Sequence, residues 1–290
     1  MQTSTRGEIH EVALRDGLQS QTPCLGPRTR LELARLLAAT QPTSMEVGSF
    51  VHPDKVPQMA GSLELAHMLR DEAWRENIPL FGLVPNQRGF EDFADSGLDG
   101  ITVLVSASES HSQENVGMGR ADALNQAQAL ITWAKSGGFA TKAYISTAFG
   151  CPYERDVPSE IVIEISQKFL EWGADKVVLT DTIGSANPAA VASLVGQILT
   201  HVEAPRCALH LHDDQGLGVD NAMAGWDLGI RSFDTSLSGI GGCPFAPGAP
   251  GNLATETWLA ALAKRGEDCP IEENVWRLAQ AGFTKALAEA

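Results

Sequence analysis

The sequence predicts an eight-stranded β/α barrel, and three features of the 290-residue chain indicate this fold. Short runs rich in β-branched residues alternate with longer helix-like segments, as in parallel strands joined by crossover helices. Eight such runs occur, and polar residues follow each of them. No linker, low-complexity stretch or long repeat interrupts the series, so we expect one catalytic domain over residues 1–290.

The succession of strands is the first of these features. The predicted strands are Glu8–Leu14, Ser44–Val47, Ile78–Val84, Gly100–Val105, Ala140–Ser146, Lys176–Thr180, Cys207–His212 and Ser232–Ser236. After the eighth strand, Leu253–Arg265 and Ile271–Ala290 are predicted to be closing helices. The alternative fold is an open doubly wound sheet, which would need fewer strands and usually a glycine-rich phosphate turn after the first one. The turn Arg15-Asp16-Gly17 found there is not of that kind.

The segment Pro158–Trp172 illustrates the helices that are expected between the strands. Pro158 suits a first helical turn, because the missing N–H of proline would have no helical partner there. Ile161, Ile165 and Phe169 repeat every four residues, which places them along one face of a helix. We expect this face to pack on the barrel.

Composition and charge exclude several classes of protein. Hydrophobic residues make up 43% of the chain and charged residues 20%, as in globular proteins, and no apolar run approaches the roughly 18 residues of a membrane span. A net charge of −15 without a basic cluster argues against nucleic acid as a partner. The first nine residues resemble neither a signal peptide nor a transit peptide, so we expect a cytoplasmic protein without membrane partners.

Five cysteines are present, an odd number, and no two of them form a CxxC pair. This usage argues against a disulfide framework and against a structural zinc site. We interpret them as reduced thiols.

The residues that follow the predicted strands are unusually polar. In a β/α barrel the catalytic groups gather at the carboxyl ends of the strands. These positions, in strand order, hold Arg15, Asp16 and Gly17; Glu46 and Ser49; Asn86; Ser106 and Ser108; Ser146 and Thr147; Asp181 and Thr182; His210, His212 and Asp213; and Gly241, Gly242 and Cys243. Solvated loops could account for some of them, but the histidine pair needs another explanation.

His210 and His212 are alternate residues of a predicted strand, so both side chains should point to the same face, here the barrel interior. Two such imidazoles either interact through water or share a cation, and Asp16 at the end of the first strand favours the cation. Nitrogen and oxygen ligands without a thiolate suit Mg²⁺, Mn²⁺ or Co²⁺, although the geometry could still favour zinc.

Arg15 and Cys243 are the other candidates for chemistry. Arg15 next to Asp16 could form an ordinary surface ion pair, whereas beside a cation site it would stabilise an anion. Cys243 lies in the glycine- and proline-rich segment Gly241–Asn252, which can bend over a site. A lone cysteine is usually a small buried apolar residue, but on such a loop it is more plausibly a proton donor.

Together these motifs resemble the 3-hydroxy-3-methylglutaryl-CoA lyase family, within the barrel metallolyases that also include isopropylmalate and homocitrate synthases. The resemblance covers nearly the whole chain. It is carried by Glu11-Val-Ala-Leu-Arg-Asp-Gly-Leu-Gln19, Met45-Glu-Val-Gly-Ser-Phe-Val51, Val56-Pro-Gln-Met59, Ala148-Phe-Gly-Cys-Pro-Tyr-Glu154, Asp181-Thr-Ile-Gly184, His210-Leu-His-Asp213 and Gly241-Gly-Cys-Pro-Phe-Ala-Pro-Gly-Ala-Pro-Gly-Asn252. The cysteine loop is similar to that of the lyases and not to that of the synthases.

This resemblance implies a pyruvate carboxyltransferase-like barrel domain and a set of site residues. The implied ligands of a divalent cation, Mg²⁺ or Mn²⁺, are Asp16, His210, His212 and Asn252. The implied catalytic residues are Arg15 for the enolate oxygen, Asp16 or His210 as the base, Cys243 as the proton donor to carbon, and Glu46 in support of Arg15 or of the metal ligands. The implied substrate-binding residues are Arg15, Gln19, Ser49, Asp181 and Thr182.

Some positions depart from the lyase pattern. After His212 the chain has Asp-Asp-Gln-Gly-Leu-Gly, where the lyases usually have Asp-Thr-Tyr-Gly-Gln. Ala13-Leu14 and Ser20-Gln21 replace the usual Gly-Pro and Asn-Glu. These departures indicate different packing beside the acyl group, so a different C3 substituent is possible.

The resemblance therefore predicts a metal-dependent lyase that cleaves 3-hydroxy-3-methylglutaryl-CoA to acetyl-CoA and acetoacetate, as in leucine catabolism. The alternatives are a lyase for citramalyl-CoA or an isohexenylglutaryl-CoA, or a catalytically silent barrel that binds an acyl-CoA. A synthase is disfavoured by the lyase-like cysteine loop. The expected partners are an acyl-CoA and a second copy of the chain in a homodimer.

Overall fold

The structure is a computed structural model that describes residues 6–22, 24–242, 251–268 and 271–289. Its parallel strands form a closed barrel in sequence order, which β1 completes by pairing with both β2 and β8. The strands are β1 (Glu8–Glu11), β2 (Ser44–Ser49), β3 (Leu80–Leu83), β4 (Gly100–Ser106), β5 (Ala140–Ser146), β6 (Lys176–Thr180), β7 (Cys207–His210) and β8 (Ser232–Thr235). The predicted barrel is confirmed.

Helices connect the strands and follow the last one. They are α1 (Pro27–Ala38), α2 (Ser62–Leu69), α3 (Gln87–Ala94), α4 (Glu109–Val116), α5 (Arg120–Ser136), α6 (Ser159–Trp172), α7 (Pro188–Ile198), α8 (Gly218–Asp227), α9 (Thr255–Arg265) and α10 (Glu273–Glu289). Helices α9 and α10 confirm the predicted closing helices, each beginning two residues later than expected. Within the described ranges, no helix is both long and apolar enough to cross a membrane.

Helix α6 packs on the barrel through the predicted face. Ile165 and Phe169 are buried together with Val162, and Ile161 is half-buried against the same core. Pro158 is the residue immediately before the helix rather than part of its first turn. The period of four residues therefore identified the packing face correctly, while the beginning of the helix was one residue early.

Strands β1, β3, β7 and β8 end earlier than predicted, β3 and β8 by one residue and the other two by more. The prediction of strand through Leu14 is wrong, because β1 ends at Glu11 and a π-helical turn occupies Ala13–Gly17. Strand β7 ends at His210, and His212 lies just beyond it in an isolated bridge to Asn252. At both places the chain has left the sheet where it carries a residue of the candidate site, Asp16 in the π-helical turn and His212 in the bridge to Asn252.

The interior of the barrel is built in layers. A small apolar cluster of Leu104, Tyr144, Val178 and Ala208 fills the middle. Towards the amino ends of the strands lies a hydrogen-bonded polar layer, in which His10 contacts Ser44 and Ser232 at 2.7 Å each. Because residues two apart on a strand share a face, polar residues one step beyond the apolar cluster lie at the carboxyl ends. That end carries the candidate site.

Candidate active site

The π-helical turn after β1 sets the position of Arg15 and Asp16. The carbonyl of Val12 accepts hydrogen bonds from the N–H groups of both Asp16 (2.9 Å) and Gly17 (3.2 Å), which widens the turn. Gly17 is required here, because a Cβ at this position would lie 2.7 Å from a side-chain carbon of Ile240. The turn therefore packs directly against the segment that leads into Gly241 and Gly242.

The Glu11 carboxylate joins this turn to the end of the barrel. It accepts hydrogen bonds from Ala13 N–H (3.0 Å), from Leu237 N–H (3.0 Å) and from the Thr255 hydroxyl (2.8 Å). One buried side chain thus connects the turn after β1 to the turn after β8 and to the beginning of α9.

Arg15 is clamped between two carboxylates. Its Nε and Nη2 atoms each lie 2.7 Å from Glu46 Oε2, and its Nη1 atom lies 2.6 Å from Asp16 Oδ1. Only 8% of Arg15 is exposed, so the pair with Asp16 is not an ordinary surface ion pair. Glu46 also accepts a hydrogen bond from the Thr102 hydroxyl. The guanidinium is therefore held rigidly beside Asp16.

The pKa values of the two carboxyl groups that contact Arg15 shift in opposite directions. Burial would raise the pKa of Asp16, but the charge of Arg15 and the neighbouring histidines hold it far below the usual range. Burial raises the pKa of the Glu46 carboxyl, and Arg15 opposes that shift. Asp16 is therefore ionised and available as a ligand at neutral pH.

His210 is oriented by a carboxylate behind it. Its Nδ1 lies 3.1 Å from Asp234 Oδ2, and the Tyr144 hydroxyl donates to the same oxygen at 2.6 Å. Its other ring nitrogen, Nε2, is 3.8 Å from Asp16 Oδ2. Burial would raise the pKa of Asp234, but the hydrogen bond with His210 and the charge of Lys142 lower it to about 2. Asp234 is therefore an anionic acceptor that turns Nε2 of His210 towards Asp16.

His212 and Asn252 complete the cluster. Asp16, His210 and His212 each offer one ligand atom, and these atoms lie within 4.8 Å of one another. The Asn252 Nδ2 group donates to Asp16 Oδ2 (2.8 Å) and to the Ile240 carbonyl (3.1 Å), so Oδ1 is the atom of this side chain that could face a cation. This set of nitrogen and oxygen donors, with both histidines buried and Asp16 half-buried, fits a divalent cation.

Three of the substrate-binding candidates accept hydrogen bonds from backbone N–H groups of the loops at the carboxyl ends of the strands. Ser49 ends β2, and its Oγ accepts the Val51 N–H at 3.3 Å. Asp181 accepts N–H groups of the loop after β6 at 3.0 and 3.1 Å, and burial raises its pKa to about 6. The Thr182 hydroxyl accepts the Thr147 N–H at 2.7 Å. Gln19, the fourth candidate, is half-buried just after the π-helical turn.

Cys243 lies outside the described residues, so its predicted role as a proton donor stays a prediction. The described flanks of its loop are nevertheless well placed. The Asn252 N–H donates to the Gly241 carbonyl at 3.2 Å, and a Cβ on Gly241 would lie 2.5 Å from Asn252 Nδ2 and 3.0 Å from the Asp16 carbonyl oxygen. The two ends of the loop therefore meet beside Asp16.

Sequence reasoning missed the residues that support the ligands. Asp234 and Tyr144 lie inside predicted strands, whereas the sequence analysis chose its candidates at and just after the carboxyl ends of the strands. A signal was available, since an aspartate at an inward position of a barrel strand needs a partner. Thr102, which contacts Glu46, is a third residue of this kind.

The fold and the site define a class of protein, namely a β/α-barrel enzyme with a candidate cation site at the carboxyl ends of its strands. The chain belongs to the HMGL-like family, whose pattern it matches over residues 6–281. This membership confirms the predicted resemblance and the prediction of a carbon–carbon lyase.

Named relatives and solved structures agree with this placement. The chain is 38% identical to hydroxymethylglutaryl-CoA lyase of Bacillus subtilis, over 92% of this chain and 87% of that one. It is 43% identical to (R)-citramalyl-CoA lyase of Chloroflexus aurantiacus, over 86% of this chain and 80% of that one. The crystal structure of a Bacillus subtilis HMG-CoA lyase superposes with a TM-score of 0.94 at 34% identity, covering 99% of this chain and 96% of that one.

Proposed function

We propose that the protein cleaves 3-hydroxy-3-methylglutaryl-CoA between C2 and C3, releasing acetyl-CoA and acetoacetate. The observation that carries this proposal is the cluster of half-buried Asp16 with buried His210 and His212, beside which Arg15 is held by two ion pairs. A retro-Claisen cleavage needs both parts of this arrangement. The hydroxyl at C3 must lose its proton, and the negative charge that develops on the thioester must be stabilised.

We propose that Asp16, His210, His212 and Asn252 hold a divalent cation, with Mg²⁺ or Mn²⁺ as the first candidates. The carboxylate and amide oxygens suit both ions, and imidazole is also compatible with Mn²⁺. When bound, the cation would act as a Lewis acid towards the hydroxyl and carboxylate or carbonyl oxygens of the substrate.

Arg15 is proposed to stabilise the enolate oxygen of the departing acetyl-CoA. Its contacts with Glu46 and Asp16 fix the guanidinium before the substrate arrives, so little reorganisation is needed as charge develops. The flexible ammonium of a lysine could not make these fork-shaped contacts.

Two side chains are proposed acceptors of the C3 hydroxyl proton, Asp16 and His210. A single nitrogen cannot bind a cation and accept a proton at the same time, since a ligand must be deprotonated and coordinated. If Nε2 of His210 is a ligand, as its orientation by Asp234 favours, the proton passes to the carboxylate oxygen of Asp16 that does not bind the cation. If His210 is the base, a His210→Gln variant should retain cation binding and lose cleavage.

The proposed last step is protonation of the enolate carbon by Cys243, which completes acetyl-CoA. The electron pair of the broken C2–C3 bond then ends in the new C–H bond, and the C3 oxygen becomes the ketone of the second product. This assignment is supported by the sequence, in which Cys243 directly follows Gly241 and Gly242, and by the contact of Gly241 with Asn252.

Citramalyl-CoA is the second candidate substrate, and a specific observation favours it. The identity of 43% to (R)-citramalyl-CoA lyase exceeds the 38% to a hydroxymethylglutaryl-CoA lyase. The same reaction on citramalyl-CoA would give acetyl-CoA and pyruvate. We further propose that the enzyme acts as a cytoplasmic homodimer.

The test is acetyl-CoA release from the two thioesters by metal-free protein, before and after addition of Mg²⁺ or Mn²⁺. We expect cation-dependent cleavage, and the preferred thioester identifies the substrate. Cys243→Ala should abolish turnover while leaving cation affinity unchanged. If neither thioester nor an isohexenylglutaryl-CoA is cleaved with any cation, the proposal is wrong and a silent acyl-CoA-binding barrel becomes the better interpretation.

A further inference from the structure

Asp214 faces His212 across a gap that no hydrogen bond fills. Asp214 Oδ2 lies 3.9 Å from His212 Nδ1, and the two side chains are only 6% and 7% exposed. Neither atom has a hydrogen-bond partner among the residues that the structure describes. A buried polar atom without a partner costs roughly 1–3 kcal/mol, so two complementary ones facing each other call for an explanation.

The carboxylate of Asp214 is fixed on its other side. Its Oδ1 accepts the Gly251 N–H at 3.2 Å, immediately before Asn252. Gly184 lies against it so closely that a Cβ at residue 184 would be 2.5 Å from the Asp214 Cβ. Asp214 therefore touches the loops after β6 and β7 and the last part of the loop after β8.

The chemistry of a histidine that binds a metal ion explains why His212 Nδ1 and Asp214 Oδ2 face each other. A neutral imidazole that binds a cation through Nε2 carries its proton on Nδ1, and a carboxylate that accepts this proton fixes the tautomer and the ring orientation. His210 already has such an acceptor in Asp234, at 3.1 Å. His212 has a carboxylate in the corresponding place, about 1 Å too far for a hydrogen bond.

We propose that Asp214 is a positioning residue of the cation site. It accepts the Nδ1 proton of His212 when the site is loaded, leaves Nε2 as the ligand atom, and holds Gly251 so that Asn252 stays next to Asp16. This inference rests on the proposed function for the existence of the cation site. It concerns a residue that departs from the usual lyase pattern, in which a threonine follows the first aspartate.

The experiment measures cation affinity and not turnover. Mn²⁺ is titrated calorimetrically into metal-free wild type, Asp214→Asn and the matched control Asp213→Asn. Asp213 is the adjacent carboxylate, and it accepts the Gly218 N–H instead of facing His212. We expect about 10–100-fold weaker binding for Asp214→Asn, the usual effect of removing such an acceptor. For Asp213→Asn we expect a change within about twofold, since solvent and salt screen its charge.

A second measurement determines the tautomer of His212 in the unaltered protein, and a variant serves only to assign its signals. Ring nitrogens are observed by NMR in Mg²⁺-loaded wild type labelled with ¹⁵N-histidine, and the His212 signals are identified by their loss in His212→Ala. We expect His212 to carry its proton on Nδ1. A proton on Nε2 overturns the inference.

The outcomes separate the inference from the proposed function. If wild type binds no Mn²⁺, the cation site is wrong, and with it both proposals. If wild type binds Mn²⁺ and Asp214→Asn binds it equally well, Asp214 is not a positioning residue, while the proposed function stands. Equal weakening in both aspartate variants would show a general effect of charge and would also overturn the inference.

Discussion

Asp234 and His210 share a hydrogen bond of 3.1 Å between Oδ2 and Nδ1, inside the barrel and beside the candidate cation site. Both side chains are almost fully buried, and the Tyr144 hydroxyl binds the same carboxylate oxygen. The orientation of a candidate ligand is therefore set by a residue that cannot itself reach the site.

Asp234→Asn should weaken cation binding. The amide oxygen can still accept a hydrogen bond, but it carries no charge and makes the imidazole of His210 a poorer ligand. We expect about a tenfold or greater loss of Mn²⁺ affinity in calorimetric titration. The control is Asp227→Asn, which removes an exposed carboxylate paired with Arg265 and should leave the affinity unchanged. Unchanged affinity in Asp234→Asn would refute the role of this hydrogen bond.

Arg15→Lys should abolish most of the activity although the charge is conserved. Lysine cannot reproduce the contacts of Nε and both Nη atoms with Glu46 and Asp16. We expect kcat for acetyl-CoA release to fall about 100-fold or more, as when an oxyanion-stabilising donor is removed. Arg35→Lys alters an exposed ion pair with Glu72 and should leave kcat unchanged. Near-normal kcat in Arg15→Lys would remove Arg15 from the catalytic step.

Gly251→Ala should damage the cation site by a steric route. Gly251 has φ +91°, and a Cβ there would lie 1.5 Å from the carbonyl oxygen of Gly241. The backbone must move, and Asn252 moves with it, so we expect Mn²⁺ affinity to fall about tenfold or more. Gly216→Ala is the matched control, because Gly216 has φ +71° and open space around it. In both variants the alanine must adopt a backbone conformation with positive φ, which should cost roughly 1–2 kcal/mol of folding stability. Only Gly251→Ala should also lose Mn²⁺ affinity.

The sequence predicted the barrel and the residues that meet at the candidate cation site far better than the contacts that organise them. The alternation of short segments with longer helix-like ones identified all eight strands, although some, such as β1 and β8, are half polar. It overextended β1, since Ala13 and Leu14 are as apolar as strand residues, and no pattern of side chains marks a π-helical turn.

The supporting residues were missed because their role depends on contacts between distant strands. Asp234 meets Tyr144 across 90 residues, and Glu46 meets Thr102 across 56. Alternation within one strand shows that such side chains point inward, but not which inward side chain lies opposite. The closure and register of the barrel supply that information.

His10 should make the protein sensitive to mild acid. Burial and the charge of Lys142 lower the pKa of this histidine to about 4, against 6.5 when unfolded. The unfolded chain therefore binds the proton first, so stability is fully present above pH 6.5 and falls by about 3 kcal/mol as the pH drops towards 4. The free energy of unfolding, measured with urea at several pH values, should depend less on pH in His10→Asn than in wild type. The exposed control His52→Asn should show the same pH dependence as wild type. Parallel profiles for all three proteins would show that His10 does not govern this loss.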